Sequence, residues 1–171
     1  MRALLVVALL GLAACGFEPL YGDQEQGTPT EDLLSRVSVP PLADRLGQLV
    51  RIELTNRLNP RPAPEPFYVV SVQLNESKQG LAVRRDASAT RANLIITATF
   101  ALTPVGKDES LLSGDIRSSN GYDILTSDFA TLAAENDARR RGARDIADAI
   151  VDRLAIYLSR QNIQAAAPAS R

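Results

Sequence analysis

Between Leu94 and Leu102 every second residue is apolar: Leu94, Ile96, Ala98, Phe100 and Leu102 fall on one face, with Thr97, Thr99 and Thr103 on the other. A period of two sends successive side chains to opposite faces. The stretch therefore predicts a half-buried antiparallel strand, although Ile95 and Ala101 break the polarity of its second face. Upstream, Tyr68, Val70, Val72 and Leu74 alternate with Ser71 and Gln73 and predict another strand. The polar run from Asn75 to Gly80 interrupts that pattern before it resumes. Downstream, Thr103 to Glu109 carries Pro104 and Gly106 and reads as a hairpin turn. Leu111 to Leu125 follows as a further strand, interrupted near Ser118-Ser119-Asn120-Gly121. Arg36 to Leu42 is short, β-branched and closed by Pro40-Pro41, which suits an edge strand.

Two segments show helical spacing instead. Leu46, Leu49, Val50, Leu54 and Leu58 recur at three and four residues, with Asp44 as N-cap and Asn59-Pro60 as stop. Pro60 to Pro66 carries four prolines and reads as a stiff connection. In the last third, Phe129, Leu132 and Ala133 begin an apolar stripe that Ala143, Ile146, Ala147, Ile150, Leu154 and Tyr157 continue. Arg140, Asp145, Asp148 and Asp152 lie opposite, and Gly142 loosens the middle. The element order is strand, helix, three strands, helix. Two helices on one face of a four-stranded, mainly antiparallel sheet is the economical packing for it: an α+β two-layer sandwich.

The N-terminus follows another logic. Arg2 precedes an apolar run from Ala3 to Ala14, about a dozen residues where a membrane-spanning helix needs roughly 20. A basic start, a short apolar middle and small residues before Cys15 read as a signal peptide. Leu12-Ala13-Ala14-Cys15 matches the lipobox of bacterial lipoproteins, which makes Cys15 the expected site of lipid attachment. The thiol carries diacylglycerol as a thioether and the new amino group an acyl chain. Several chains on one residue make a stable anchor, where a single one binds marginally. The competing reading of Cys15 is an ordinary buried thiol. Gly16 rather than Asp after the cysteine favours the outer membrane, by likeness to enterobacterial sorting rules. The expected organisation is a signal peptide over 1–14, a lipidated tether over 15–30, one domain over 31–163 and a flexible tail over 164–171.

Composition narrows the chemistry. Among 171 residues, 19 are basic and 20 acidic, so removal of Arg2 with the leader leaves 18 − 20 = −2. That balance argues against nucleic acid as a partner. Cys15 is the single cysteine and histidine is absent, so neither an internal disulfide nor a Ser-His-Asp or Cys-His arrangement can be built. Zinc-type sites lack their preferred ligands, and no metal or diffusible cofactor is expected. A carboxylate mechanism or a hard-cation oxygen site is what remains. Glu31-Asp32 and Asp108-Glu109 are the acidic pairs, both in polar loop-like stretches, where solvated surface charge is the blander reading. No catalytic residue is assigned.

The mature N-terminus, Cys15-Gly16-Phe17-Glu18-Pro19-Leu20-Tyr21-Gly22, resembles the lipopolysaccharide-assembly lipoprotein family LptE in its alphaproteobacterial form, where Gly-Phe-x-Pro-Leu-Tyr follows the lipobox cysteine. A second stretch, Ser127 to Ala130 and on through Glu135-Asn136-Asp137-Ala138-Arg139-Arg140-Arg141, is similar to the acidic-then-arginine opening of that family's last helix. The resemblance implies two helices on a four-stranded sheet and no enzymatic activity. It also implies a place inside the LptD β-barrel as plug and assembly aid, and binding of lipopolysaccharide on its way to the outer leaflet.

Such a ligand presents phosphates and carboxylates, which call for clustered Lys and Arg. Lys78, Arg84, Arg85 and Arg91 bracket the connection between the second and third strands and are the candidates; scattered surface charge is the alternative. Arg139-Arg140-Arg141 and Arg144 are denser, but Glu135, Asp137, Asp145 and Asp148 lie within two turns, which favours pairing inside the helix. Phe17, Pro19, Leu20 and Tyr21 are candidates for contact with the barrel, or for packing on the domain's own sheet. The runner-up identity is the auxiliary lipoprotein of an ABC-type lipid transporter, which shares the anchor and the layout. A carboxylate-dependent envelope hydrolase and a purely structural lipoprotein follow.

Overall fold

The computed structural model describes residues 30–58, 65–83 and 89–166. In chain order its elements are α1 (Thr30–Ser35), β1 (Val37–Ser38), α2 (Asp44–Leu58), β2 (Tyr68–Val83), β3 (Ala89–Pro104), β4 (Leu112–Asp123) and α3 (Asp128–Ala166). The strands form one sheet in the order β1-β2-β3-β4. β1 runs parallel to β2, and the other two pairings are antiparallel. This is the α+β layout expected from periodicity, with the short helix α1 in addition.

The core lies between the sheet and its helices. Leu94, Ile96, Ala98, Phe100 and Leu102 of β3 are all buried, as the alternation requires. They meet Val70 and Val72 of β2, Val50, Leu54 and Leu58 of α2, and Ile146, Ile150, Leu154 and Leu158 of α3. Each large side chain removed from water here contributes roughly 1.5–3 kcal/mol. At β1 the strand is only two residues long, because Pro40 and Pro41 lack the N–H a longer ladder would need. Asp44 opens α2 with a φ of 65°, a left-handed conformation that Asp tolerates better than most residues. Ser127 caps α3: its Oγ accepts from the Ala130 N–H at 3.4 Å.

Two expected interruptions do not occur. β2 continues through Asn75–Gly80, and its register with β3 is regular until Gly80. β4 runs through Ser118–Gly121 with no shift of register. In both places polar residues point toward the helix layer, and α3 supplies their partners, so the ladder need not end. Gly142 does not loosen α3 either. A Cβ there would lie 2.5 Å from Ile96 Cδ1, so the glycine lets the helix backbone settle onto β3. The start of the apolar stripe also departs from expectation: Phe129 is 83% exposed and Leu132 55%, and burial begins at Ala138.

Candidate functional site

The distal end of the sheet, around the β2–β3 connection, is held to α3 by charge. Arg139 donates from Nε and Nη2 to the two carboxylate oxygens of Glu76, both at 2.7 Å, and from Nη2 to Glu135 at 2.8 Å. Lys78 Nζ reaches the same Glu135 at 2.8 Å. Glu76 and Lys78 are two residues apart on β2, so they share the helix-facing side. Tyr122 on β4 is buried beside them.

Nearly two turns beyond Arg139 on α3, Asp145 Oδ2 accepts from Ser118 Oγ at 2.7 Å and from Asn120 Nδ2 at 2.9 Å. Arg141 donates to Asn120 Oδ1 at 3.3 Å and to the Gly121 carbonyl at 3.0 Å. Where an apolar core would be expected, the sheet and helix meet through a polar seam.

The electrostatics follow from the contacts. Burial pushes the Glu135 carboxyl up, but hydrogen bonds from Lys78 and Arg139 outweigh it and hold the group below its usual range. Hydrogen bonding to Glu76 raises Arg139 well above its ordinary value, against the opposing effect of burial. Tyr122 is pushed up by burial and by the charge of Glu135. The shifts on Glu135 and Arg139 keep that pair ionised, and Tyr122 is held neutral beside it. A carboxylate tied to two cations and held ionised is neither a general acid nor a free base.

Among the expected ligand-binding residues, Lys78 and Arg91 flank the β2–β3 connection but lie on opposite faces of the sheet. Lys78 faces the helix layer; Arg91 stands opposite Asp123 on the uncovered face, with Nε 3.7 Å from its carboxylate and both side chains largely exposed. Arg84 and Arg85 fall outside the described residues, as do Cys15, Phe17, Pro19, Leu20 and Tyr21. In the arginine run the pairing is mixed. Arg140 and Arg141 both pair with Asp137 inside the helix, whereas Arg139 bridges Glu135 and the strand residue Glu76. Glu76, Tyr122, Ser118 and Asn120 were not anticipated. A Glu and a Lys at i and i+2 in a strand were the available signal.

Among the described residues two surfaces remain uncovered. The far face of the sheet presents Ser71, Gln73, Asn75, Ser77 and Gln79 from β2, Thr97, Thr99 and Thr103 from β3, and Ser113, Asp115, Arg117 and Ser119 from β4. It is mainly hydroxyls and amides, with Ile95 and Ala101 among them and Arg91, Asp115, Arg117 and Asp123 as its charges. On the first turns of α3, Phe129, Leu132, Ala133, Asn136 and Arg140 line a shallow groove of about 250 Å³. Among the described residues there is no group of three or more potential metal ligands, and no helix long and apolar enough to cross a membrane.

A mixed four-stranded sheet with one helical layer and one bare polar face is a two-layer α+β domain shared with bacterial lipoproteins of known structure. A lipoprotein from Caulobacter crescentus has a TM-score of 0.66 at 26% identity, over 76% of this chain and 96% of that one. Rare lipoprotein B from Shewanella oneidensis has a TM-score of 0.54 at 20% identity, over 70% and 91%. Lipoprotein B from Nitrosomonas europaea has 0.55 at 14%, over 72% and 82%. No curated protein matches the chain by sequence. The profile of the lipopolysaccharide-assembly family LptE matches residues 34–154, and the chain belongs to that family.

Proposed function

We propose that this chain is a non-catalytic lipoprotein, anchored at the outer membrane through Cys15, that fills the lumen of the LptD β-barrel, helps it assemble and binds lipopolysaccharide in transit. The observation that carries the reading is the bare face of the sheet. The interiors of outer-membrane barrels are polar, and a broad surface of Ser, Thr, Asn and Gln can hydrogen-bond such a wall without burying unpaired charge. Family membership supplies the lipopolysaccharide connection. The acidic residues of the polar seam, all engaged by donors, offer nothing to run a reaction.

Ligand phosphates are met at the β2–β3 end, by Arg84 and Arg85 in the connection and by Lys78 and Arg91 beside it. An incoming phosphate competes with Glu135 for Lys78 and with the exposed Asp123 for Arg91. Arg91 is the easier of the two to recruit, since exposed ion pairs are worth little. Phe17, Pro19, Leu20 and Tyr21, next to the anchor, pack against the barrel wall.

A pull-down through a C-terminal tag from detergent-solubilised outer membrane tests this directly. The expected result is recovery of a large β-barrel. A transporter component in its place would replace the reading with the auxiliary-lipoprotein alternative.

A further inference from the structure

The opening of α3 is rigid but bare. Ser127 Oγ accepts from the Ala130 N–H, and Thr131 N donates to the Ser127 carbonyl at 3.0 Å. Thr131 Oγ1 accepts from the Leu125 N–H at 2.9 Å and donates to the Leu125 carbonyl at 3.2 Å. A helix end braced in this way does not fray, so the exposure of Phe129 and Leu132 is a property of the fold. The groove they line with Ala133, Asn136 and Arg140 follows one side of the helix. From Phe129 to Arg140 the helix rises about 16 Å.

That strip is apolar at its start and cationic at its end. Arg140 lies 3.8 Å from Asp137 with 58% of its side chain exposed, and it shares that carboxylate with Arg141. Arg144 follows a turn later on the same side. It is exposed and, among the described residues, has no ion-pair partner. The acids beyond it are already engaged: Asp145 accepts from Ser118 and Asn120, and Asp148 binds Arg57. Two arginines one turn apart repel each other, so the pair gains when an anion bridges it.

We propose that this strip holds one acyl chain of a phosphorylated lipid, with the chain along Phe129, Leu132 and Ala133 and the phosphate between Arg140 and Arg144. The order of the side chains matches such a molecule: an uncharged half for the tail, then two cations for an anionic head. Enclosed ligand pockets run to roughly 300–1,000 Å³, so a groove of about 250 Å³ takes a single chain along the surface and not a whole lipid. The helix backbone is bonded internally and offers an extended peptide no ladder to join. Contact with a tail removes Phe129 and Leu132 from water without disturbing the core, to which neither belongs. The inference shares with the proposed function only its phosphorylated lipid. It requires neither the barrel nor Arg91, which stands on the other face of the sheet.

The sequence contains no tryptophan, so Phe129→Trp in the full lipidated chain, held in phosphatidylcholine vesicles, reports on this position alone. Dihexanoyl phosphatidic acid is expected to shift its emission to the blue in a saturable way. Glycerol 3-phosphate has the head without the chains, and dihexanoyl phosphatidylcholine has the chains with a zwitterionic head. Each should need roughly tenfold more for the same shift. Adding Arg140→Gln with Arg144→Gln should weaken the response to phosphatidic acid roughly tenfold, whereas Arg91→Gln should leave it unchanged. The proposal is overturned by the absence of a saturable shift, by equal responses to the three probes, by indifference to the double substitution, or by equal loss from Arg91→Gln. Emission already blue in the vesicles alone would mean a bilayer surface, and a shift that follows protein concentration alone a second copy; either also overturns it. None of these outcomes alters recovery of the barrel in the pull-down, so the two readings fail separately.

Discussion

Arg139 is the residue on which the distal half of the sheet depends. Its guanidinium satisfies Glu76 with two bonds and Glu135 with one, at 16% side-chain exposure. Arg139→Ala leaves two carboxylates short of donors and should cost about 2 kcal/mol in a urea titration. Arg91→Ala breaks only an exposed pair and should stay within about 0.5 kcal/mol. Equal effects would show that the seam is not structural.

The same network predicts a pH dependence. The Glu135 carboxyl lies below its ordinary value of 4.5 in the folded protein, so its contribution is complete above that value. It is lost as pH falls through the lower folded value. The stability gap between the parent chain and Glu135→Gln should therefore close on acidification below about 4.5, and stay constant between pH 6 and 8. At this scale the sequence was only partly readable. The acidic-arginine run showed its intrahelical partners, but Glu76 is 63 residues from Arg139, and no local spacing reveals that pair.

For whole elements, periodicity located β3, the buried face of α2 and the middle of α3, because there burial alone decides which residue types fit. It failed where charge replaces burial. Asn75–Gly80 and Ser118–Gly121 look like breaks, since polar residues on a helix-facing side are costly unless something pairs with them. That something is α3. Phe129 and Leu132 failed in the other direction: their spacing is helical, but they stay exposed.

Replacing both with Ser should change the melting temperature of the free domain little, within the error of calorimetry, since neither is in the core. Gly142→Ala acts oppositely. Its gain in helix propensity is about 1 kcal/mol, but a methyl group 2.5 Å from Ile96 Cδ1 must displace the end of that fully buried side chain. The expected outcome is net destabilisation of no more than about 1 kcal/mol, read from chemical denaturation.

For the molecule as a whole, the fold class was legible because element order and alternation suffice to choose a two-layer arrangement. The family was legible from Cys15-Gly16-Phe17 through Tyr21 and from the arginine run, and the profile match over 34–154, which contains the second stretch and not the first, bears it out. The ligand site was less so. Four cations near one connection look like a cluster in sequence, but strand alternation sends Lys78 and Arg91 to opposite faces.

The central claim is that the bare hydroxyl-and-amide face of the sheet lies against the inner wall of a barrel. A photo-crosslinking amino acid placed at Thr99, in the middle of that face, tests it in living cells. The account predicts an adduct with a large outer-membrane β-barrel, absent when the probe is moved to the helix side at exposed Asp152. No adduct at Thr99, or the same adduct from both positions, would contradict it.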